Sequence, residues 1–158
     1  MKTQIKKGVS FGLTSSVITT LGLIIGLHST THSKLVVIGG ILTIAIADSL
    51  SDALAMHISE ESENHHTEKQ IWFATFATAI AKFVFAMAFL IPVMLFNLDT
   101  AIIVSIVFGL LLLGGLSFYI AKEEHINKIK AVIEHLMIAS VVIITTHYVG
   151  YLINMIVG

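Results

Sequence analysis

Cysteine and arginine are absent from the 158-residue chain, and proline occurs once. Without cysteine there is no thiol nucleophile, no thiolate zinc or iron–sulfur site and no disulfide framework. A single proline excludes collagen-like and proline-rich segments. Charge is scarce too: Asp, Glu, Lys and Arg make up 12% of residues, about half the ~25% of a water-soluble domain. The net charge of −1 offers no basic surface, so no nucleic-acid partner is expected. What abounds is apolar, with 56% hydrophobic residues and a mean hydropathy of +0.93. Soluble and disordered classes are thereby excluded, and an integral membrane protein remains.

A helix needs ~20 apolar residues to cross a hydrocarbon layer of ~30 Å. Five runs qualify, at residues 8–27, 35–58, 71–95, 101–121 and 131–157. They are continuously apolar rather than alternating, so the expected fold is all-α, one bundle of five transmembrane helices in a single domain over residues 1–158. The gaps are short, the most polar being an acidic, His-containing loop at residues 59–70. The first run is longer than a secretory core and lacks a small-x-small cleavage pattern, so it is expected to be retained. Lys2, Lys6, Lys7, Lys69, Lys122, Lys128 and Lys130 fall at one end of the bundle and Lys34 at the other. The positive-inside rule then puts the N-terminus and the 59–70 loop in the cytosol and the C-terminus outside, in a multi-pass protein expected in the plasma (cytoplasmic) membrane.

Gly8, Gly12, Ser15, Thr19, Gly22 and Gly26 form one small-residue stripe along the first helix. Such a stripe lets backbones approach closely where lipid supplies no hydrophobic drive. Its partner is either a neighbouring helix of the same chain or the first helix of a second copy in a two-fold dimer.

Asp48, Asp52 and Lys82 lie within spans. Each costs ~2.5–3.5 kcal/mol in hydrocarbon even on a lenient scale, so each should face the interior or a wet cavity. At ~1.5 Å per residue, Asp48 and Lys82 sit at matching levels ~15–16 Å from the cytosolic ends of their helices. A structural salt bridge from Lys82 to one aspartate would leave the other over. Asp48, Asp52, Met56 and Glu60 recur at i, i+4, i+8 and i+12, along one helix face from mid-membrane to the mouth. Met56 alone would be ordinary packing; its register with the aspartates makes it a candidate ligand. Glu60, Glu63 and His66 are spaced three apart, with Glu61 beside them, and they form either a chelating face or a solvated acidic turn. Oxygen ligands with His and Met nearby suit Fe²⁺ or Mn²⁺. Glu123, Glu124, Glu134 and His135 form a second set that either completes a metal site or anchors helix ends. His147, in the last span, is expected to be a hydrogen-bonded packing residue.

With these residues in place, the chain resembles the vacuolar iron transporter family, five-helix proteins that move Fe²⁺ and Mn²⁺ out of the cytosol in exchange for protons. The stretch GVSFGLTSSVITTLGLIIGL is similar to the family's first helix, and SDALAMHIS, residues 51–59, aligns with its second-helix S-M-A-x-G-E-x-V-S. AFLIPVM, FGLLLLGGLSFYIAKEE and HYVGYLI resemble the third, fourth and fifth helices. The resemblance implies a homodimer with the ion path near the subunit interface. It departs at Phe11, which stands where the family has an aspartate, and at Asp52 and Met56, which exchange the family's Met and Glu. Only residues 59–70 occupy the place of a long Glu-rich metal-binding segment, and Lys82 has no counterpart.

The leading expectation is therefore a homodimeric secondary transporter, not an enzyme, with no tightly bound cofactor. Cytosolic Fe²⁺ or Mn²⁺ would be collected by Glu60, Glu61, Glu63 and His66 and passed to Asp52 with Met56. It would then move to Asp48 and leave outside as protons enter, with Lys82 as charge partner or gate. The alternative is a non-transporting membrane protein that binds metal as a sensor or assembly partner. An intramembrane di-iron oxidase is weakest, because only Glu63 to His66 has Glu-x-x-His spacing.

Overall fold

The computed structural model describes residues 2–63 and 65–157, the side chain of Lys2 excepted. Its elements are all helical: α1 (Lys2–Thr31), α2 (Lys34–Ser62), α3 (Glu68–Ala88), α4 (Leu90–Leu95), α5 (Leu98–Glu123) and α6 (Lys128–Val157). Five spans, with α3 and α4 together as the third, are long and apolar enough to cross a membrane. The chain is a multi-pass membrane protein.

The sequence marks three helix starts, those of α2, α5 and α6, with a residue that satisfies orphan N–H groups. Ser33 Oγ accepts from the N–H of Val36, Asn97 Oδ1 from that of Thr100 and Asn127 Oδ1 from that of Lys130. At α3 the Gln70 side chain reaches back to the N–H of Thr67 at 2.9 Å, one half of a capping box. Past the ends of α1 and α5, His32 and His125 take φ values of 50° and 56° and reverse the chain.

Two boundaries differ from expectation. The third span is not one helix over 71–95, because the helix turns at Phe89 between α3 and α4. Pro92 has no N–H to offer the carbonyl of Ala88, and its ring crowds that carbonyl, so the ladder breaks one turn upstream. The acidic loop expected at 59–70 is also shorter, because α2 stays helical through Ser62 and α3 begins at Glu68.

α1 runs through the middle of the bundle and is its most buried span, while α6 is the least buried. Leu13, Val17, Leu21 and Ile24 of α1 pack with Val37 and Ile41 of α2, Phe89, Val93 of α4 and Leu113 of α5. The small-residue stripe of α1 is used within the chain. A Cβ on Gly8 would lie 2.5 Å from the carbonyl oxygen of Ala74, and one on Gly12 would lie 2.8 Å from that of Thr78, so α1 and α3 touch backbone to backbone. Further along, Gly22 faces Val142 and Thr146, and Gly26 meets Thr146 and Gly150 of α6. Of the two partners open to this stripe, it meets helices of its own chain; a second copy would need another face.

Contacts at the ends fix an up-and-down arrangement. Lys6 pairs with Glu123 and Lys7 with Glu60 at one end, while His28 meets Asp99 and Lys34 donates to the carbonyl of Phe96 at the other.

Candidate functional site

The inward stripe of α2 is Val37, Ile41, Ala45, Ser49, Ala53, Met56 and Glu60, all buried. Asp48 and Asp52 each precede a member of that stripe by one residue, which turns them ~100° to its flank. There their side chains are 25% and 19% exposed. Lys82 enters from α3 and is 1% exposed.

One ammonium serves both carboxylates, correcting the expectation that a bridge to one aspartate leaves the other over. Lys82 Nζ lies 2.6 Å from Asp48 Oδ2, contacts Asp52 Oδ2, and donates to Ser15 Oγ at 2.7 Å. Ser15 in turn donates to Asp52 Oδ2 at 2.7 Å, and Thr19 Oγ1 reaches Asp48 Oδ2 at 3.0 Å. Ser16, on the same helix, donates to the Lys82 carbonyl oxygen at 3.0 Å and ties the α3 backbone to α1. Three charges and two hydroxyls from three helices thus form one cluster with two negative charges and one positive. Desolvated charges are tolerated only when paired and hydrogen-bonded in this way. Beside it, a groove of about 610 Å³ between α1 and α2, lined by Leu23, Gly40, Thr43, Asp48 and Ser51 among others, leaves Asp48 reachable from one side.

Two turns further along α2, Met56 is buried and Glu60 has no exposure at all. Glu60 Oε1 lies 2.5 Å from Lys7 Nζ and Oε2 lies 3.0 Å from His66 Nδ1. Glu63 lies 2.9 Å from Lys7 and 3.7 Å from His66. The two Glu60 contacts are at ion-pair distance without hydrogen-bond alignment, so both oxygens have unused acceptor capacity. Glu60, Glu63 and His66 can each direct one ligand atom so that all lie within 4.8 Å of one another, the only such group of three among the described residues. The Lys7 ammonium beside Glu63 holds that carboxyl below its ordinary range. Glu61 is exposed and lies outside this group, one residue around the helix from Glu60.

The other expected set does not gather. Glu123 is taken up by Lys6 and by the Tyr119 hydroxyl at 2.7 Å, and Glu124 lies 3.9 Å from Lys6. Glu134 lies 3.8 Å from Lys130 on its own helix, and His135 Nδ1 meets Ser117 Oγ at 2.7 Å. His147 Nδ1 hydrogen-bonds Ser29 Oγ at 2.8 Å.

Ser15 and Thr19 enter as hydroxyls hydrogen-bonded into the Asp48–Asp52–Lys82 cluster although the sequence marks them only as small packing residues. Lys7 enters as a partner of the mouth carboxylates although it counts in the sequence only toward orientation. For the hydroxyls a signal existed, since they are the polar members of an otherwise glycine stripe. No protein-family model matches the chain, and no curated protein matches it.

Proposed function

We propose that the chain is a secondary transporter that moves a divalent transition metal, Fe²⁺ or Mn²⁺, out of the cytosol in exchange for protons, and that it belongs with the vacuolar iron transporters it resembles. The observation that carries this is the gathering of Asp48 and Asp52 around Lys82 within the apolar α2 span, on the flank of the face that carries Met56 and Glu60. Carboxylates within a span are costly and mark ion pathways. The donors at these positions, carboxylate and hydroxyl oxygen, one imidazole and one thioether, suit Fe²⁺ and Mn²⁺ better than copper.

In this mechanism the lysine-rich end faces the cytosol. Glu60, Glu63 and His66 collect the ion as Lys7 gives way. Met56 and Asp52 receive it next, and Asp48 with Thr19 passes it on. Exchange for protons follows from charge balance, since a cation that leaves a desolvated carboxylate can be replaced there by a proton.

The homodimer belongs to the same proposal, on a different face from α1. Gly39, Thr43, Ala47, Ser51, Ala55 and Ser59 recur every four residues on α2, and all are exposed. This stripe runs beside Asp48 and Asp52, so a second copy docked there would put the ion path near the interface.

A second function, a metal-binding sensor or assembly protein without transport, is favoured by one observation: Lys82 pairs with both inner aspartates, while Glu63 and His66 of the mouth group remain partly exposed. Mn²⁺ flux into proteoliposomes under a pH gradient separates the two. Flux that Asp52→Asn abolishes supports the transporter. Binding that needs Glu60 and His66, with no flux in the wild type, supports the sensor.

A further inference from the structure

We infer that Lys82 is a tethered cation that makes the Asp48–Asp52 site selective for divalent over monovalent ions; this rests on the proposal that these aspartates carry the transported ion. The Lys82 side chain is almost wholly buried, and its ammonium already occupies the place a transported ion would take, against Asp48 Oδ2, Asp52 Oδ2 and Ser15 Oγ. It therefore competes with every incoming cation, and as part of the chain it never diffuses away.

Charge decides which competitors succeed. The two carboxylates carry −2, and with the ammonium between them the site stands at −1. Na⁺ or K⁺ in place of the ammonium also gives −1, so the exchange gains no attraction, while the ion sheds its water and the ammonium loses its buried partners. A divalent ion brings the two carboxylates to neutrality, and its attraction to each is twice that of the lysine at equal distance. Only the higher charge overcomes the tether.

The mouth repeats the arrangement more weakly. Lys7 lies between Glu60 and Glu63, but it is 44% exposed where the Lys82 side chain is 2% exposed. Water screens the outer pair and lets ions exchange there. Discrimination by charge is accordingly strongest at Lys82.

Equilibrium binding of ²²Na⁺ and of Mn²⁺ to the purified full-length chain tests this. The wild type is expected to bind Mn²⁺ and exclude Na⁺. Lys82→Met should raise Na⁺ affinity by about tenfold or more, whereas Lys82→Arg, which keeps the charge, should exclude Na⁺ like the wild type. Because Lys82→Met leaves two unpaired carboxylates, Lys82→Met combined with Asp52→Asn serves as a second variant. It keeps the net charge of the site at −1 without a tethered cation, and it should also take up Na⁺. If both variants exclude Na⁺ as well as the wild type does, Lys82 is not the selectivity element and the inference is overturned. If Mn²⁺ binds but is not moved in vesicles, the transport proposal fails while the Na⁺ comparison still decides the role of Lys82.

Discussion

Lys82 of α3 and Asp48 of α2 meet at 2.6 Å, with the lysine side chain 2% exposed and the aspartate 25% exposed. The asymmetry predicts unequal costs of removal. Without Lys82, two like charges remain close together in a low-dielectric site, and breaking a buried pair from one side costs about 3–5 kcal/mol. Asp48→Asn leaves Lys82 paired with Asp52 and costs less, and Asp52→Asn falls between, since Asp52 is the more buried aspartate. Thermal midpoints of the purified protein should therefore fall in the order wild type, Asp48→Asn, Asp52→Asn, Lys82→Met. A Lys82→Met midpoint at or above that of Asp48→Asn would mean that the ammonium is not what holds the aspartates in place.

The α1 glycines offer a second contrast, because their surroundings differ. A methyl on Gly12 would meet the backbone carbonyl of Thr78 at 2.8 Å, and that oxygen cannot move without shifting α3. On Gly26 the nearest atom, the Thr146 carbonyl oxygen, is 3.7 Å away, an ordinary contact. Gly12→Ala should destabilise by about 1–3 kcal/mol, the usual cost of overpacking, and also displace Lys82, whose backbone N lies 3.1 Å from the same methyl. Gly26→Ala should sit within about 0.5 kcal/mol of wild type. Thermal melting of the two variants side by side checks both.

The five spans are legible in the sequence because each depends only on a local run of apolar residues and on caps such as Ser33 and Asn97. The turn at Phe89 follows from Pro92, a local signal that the continuous hydropathy of 71–95 masks. The site is legible only in part. Helical spacing sets Asp48, Asp52, Met56 and Glu60 one turn apart along α2, although the aspartates sit on the flank of the face that Met56 and Glu60 share, and matching depth points Lys82 at the aspartates. The rotation of three helices about their axes is a tertiary matter. The close approach of α1 to α3 at Gly8 and Gly12 turns Ser15 and Thr19 onto the aspartates and lets one ammonium reach both. Glu61 drops out for a related reason: α2 remains helical to Ser62, so a single residue step carries Glu61 ~100° away from the face of Glu60.

The absence of cysteine makes the proposed dimer face directly testable. Single cysteines at Ala47, Ser51 and Ala55 lie on the exposed small-residue line of α2, and one at Met137 lies on exposed α6 as a control. If second copies dock through α2, oxidation in native membranes should give disulfide-linked dimers at the α2 positions and not at Met137. Equal cross-linking at all four, or none, would remove this face as the interface.

Lys7 and the mouth cluster give the last prediction. Its ammonium pairs with both Glu60 and Glu63 in the resting protein and occupies the space between their oxygens. A metal must displace it, so Lys7→Met should strengthen Mn²⁺ binding at the mouth, while His66→Ala, which removes one of the three candidate ligands, should weaken it by at least the ~10–100-fold typical of losing an outer-shell contact. Acid should separate the two proteins further. Lys7 keeps the Glu63 carboxyl ionised below its ordinary range, and a carboxylate lowered in this way stabilises the fold at pH values above its unfolded pKa, with that contribution lost as pH falls through the lowered value. Lys7→Met returns Glu63 toward ordinary carboxyl behaviour, so its Mn²⁺ affinity should begin to fall at a higher pH than that of wild type. Titrating Mn²⁺ at several pH values from neutral into the carboxylate range checks both effects. Unchanged affinity in Lys7→Met would show that the lysine does not compete for the site.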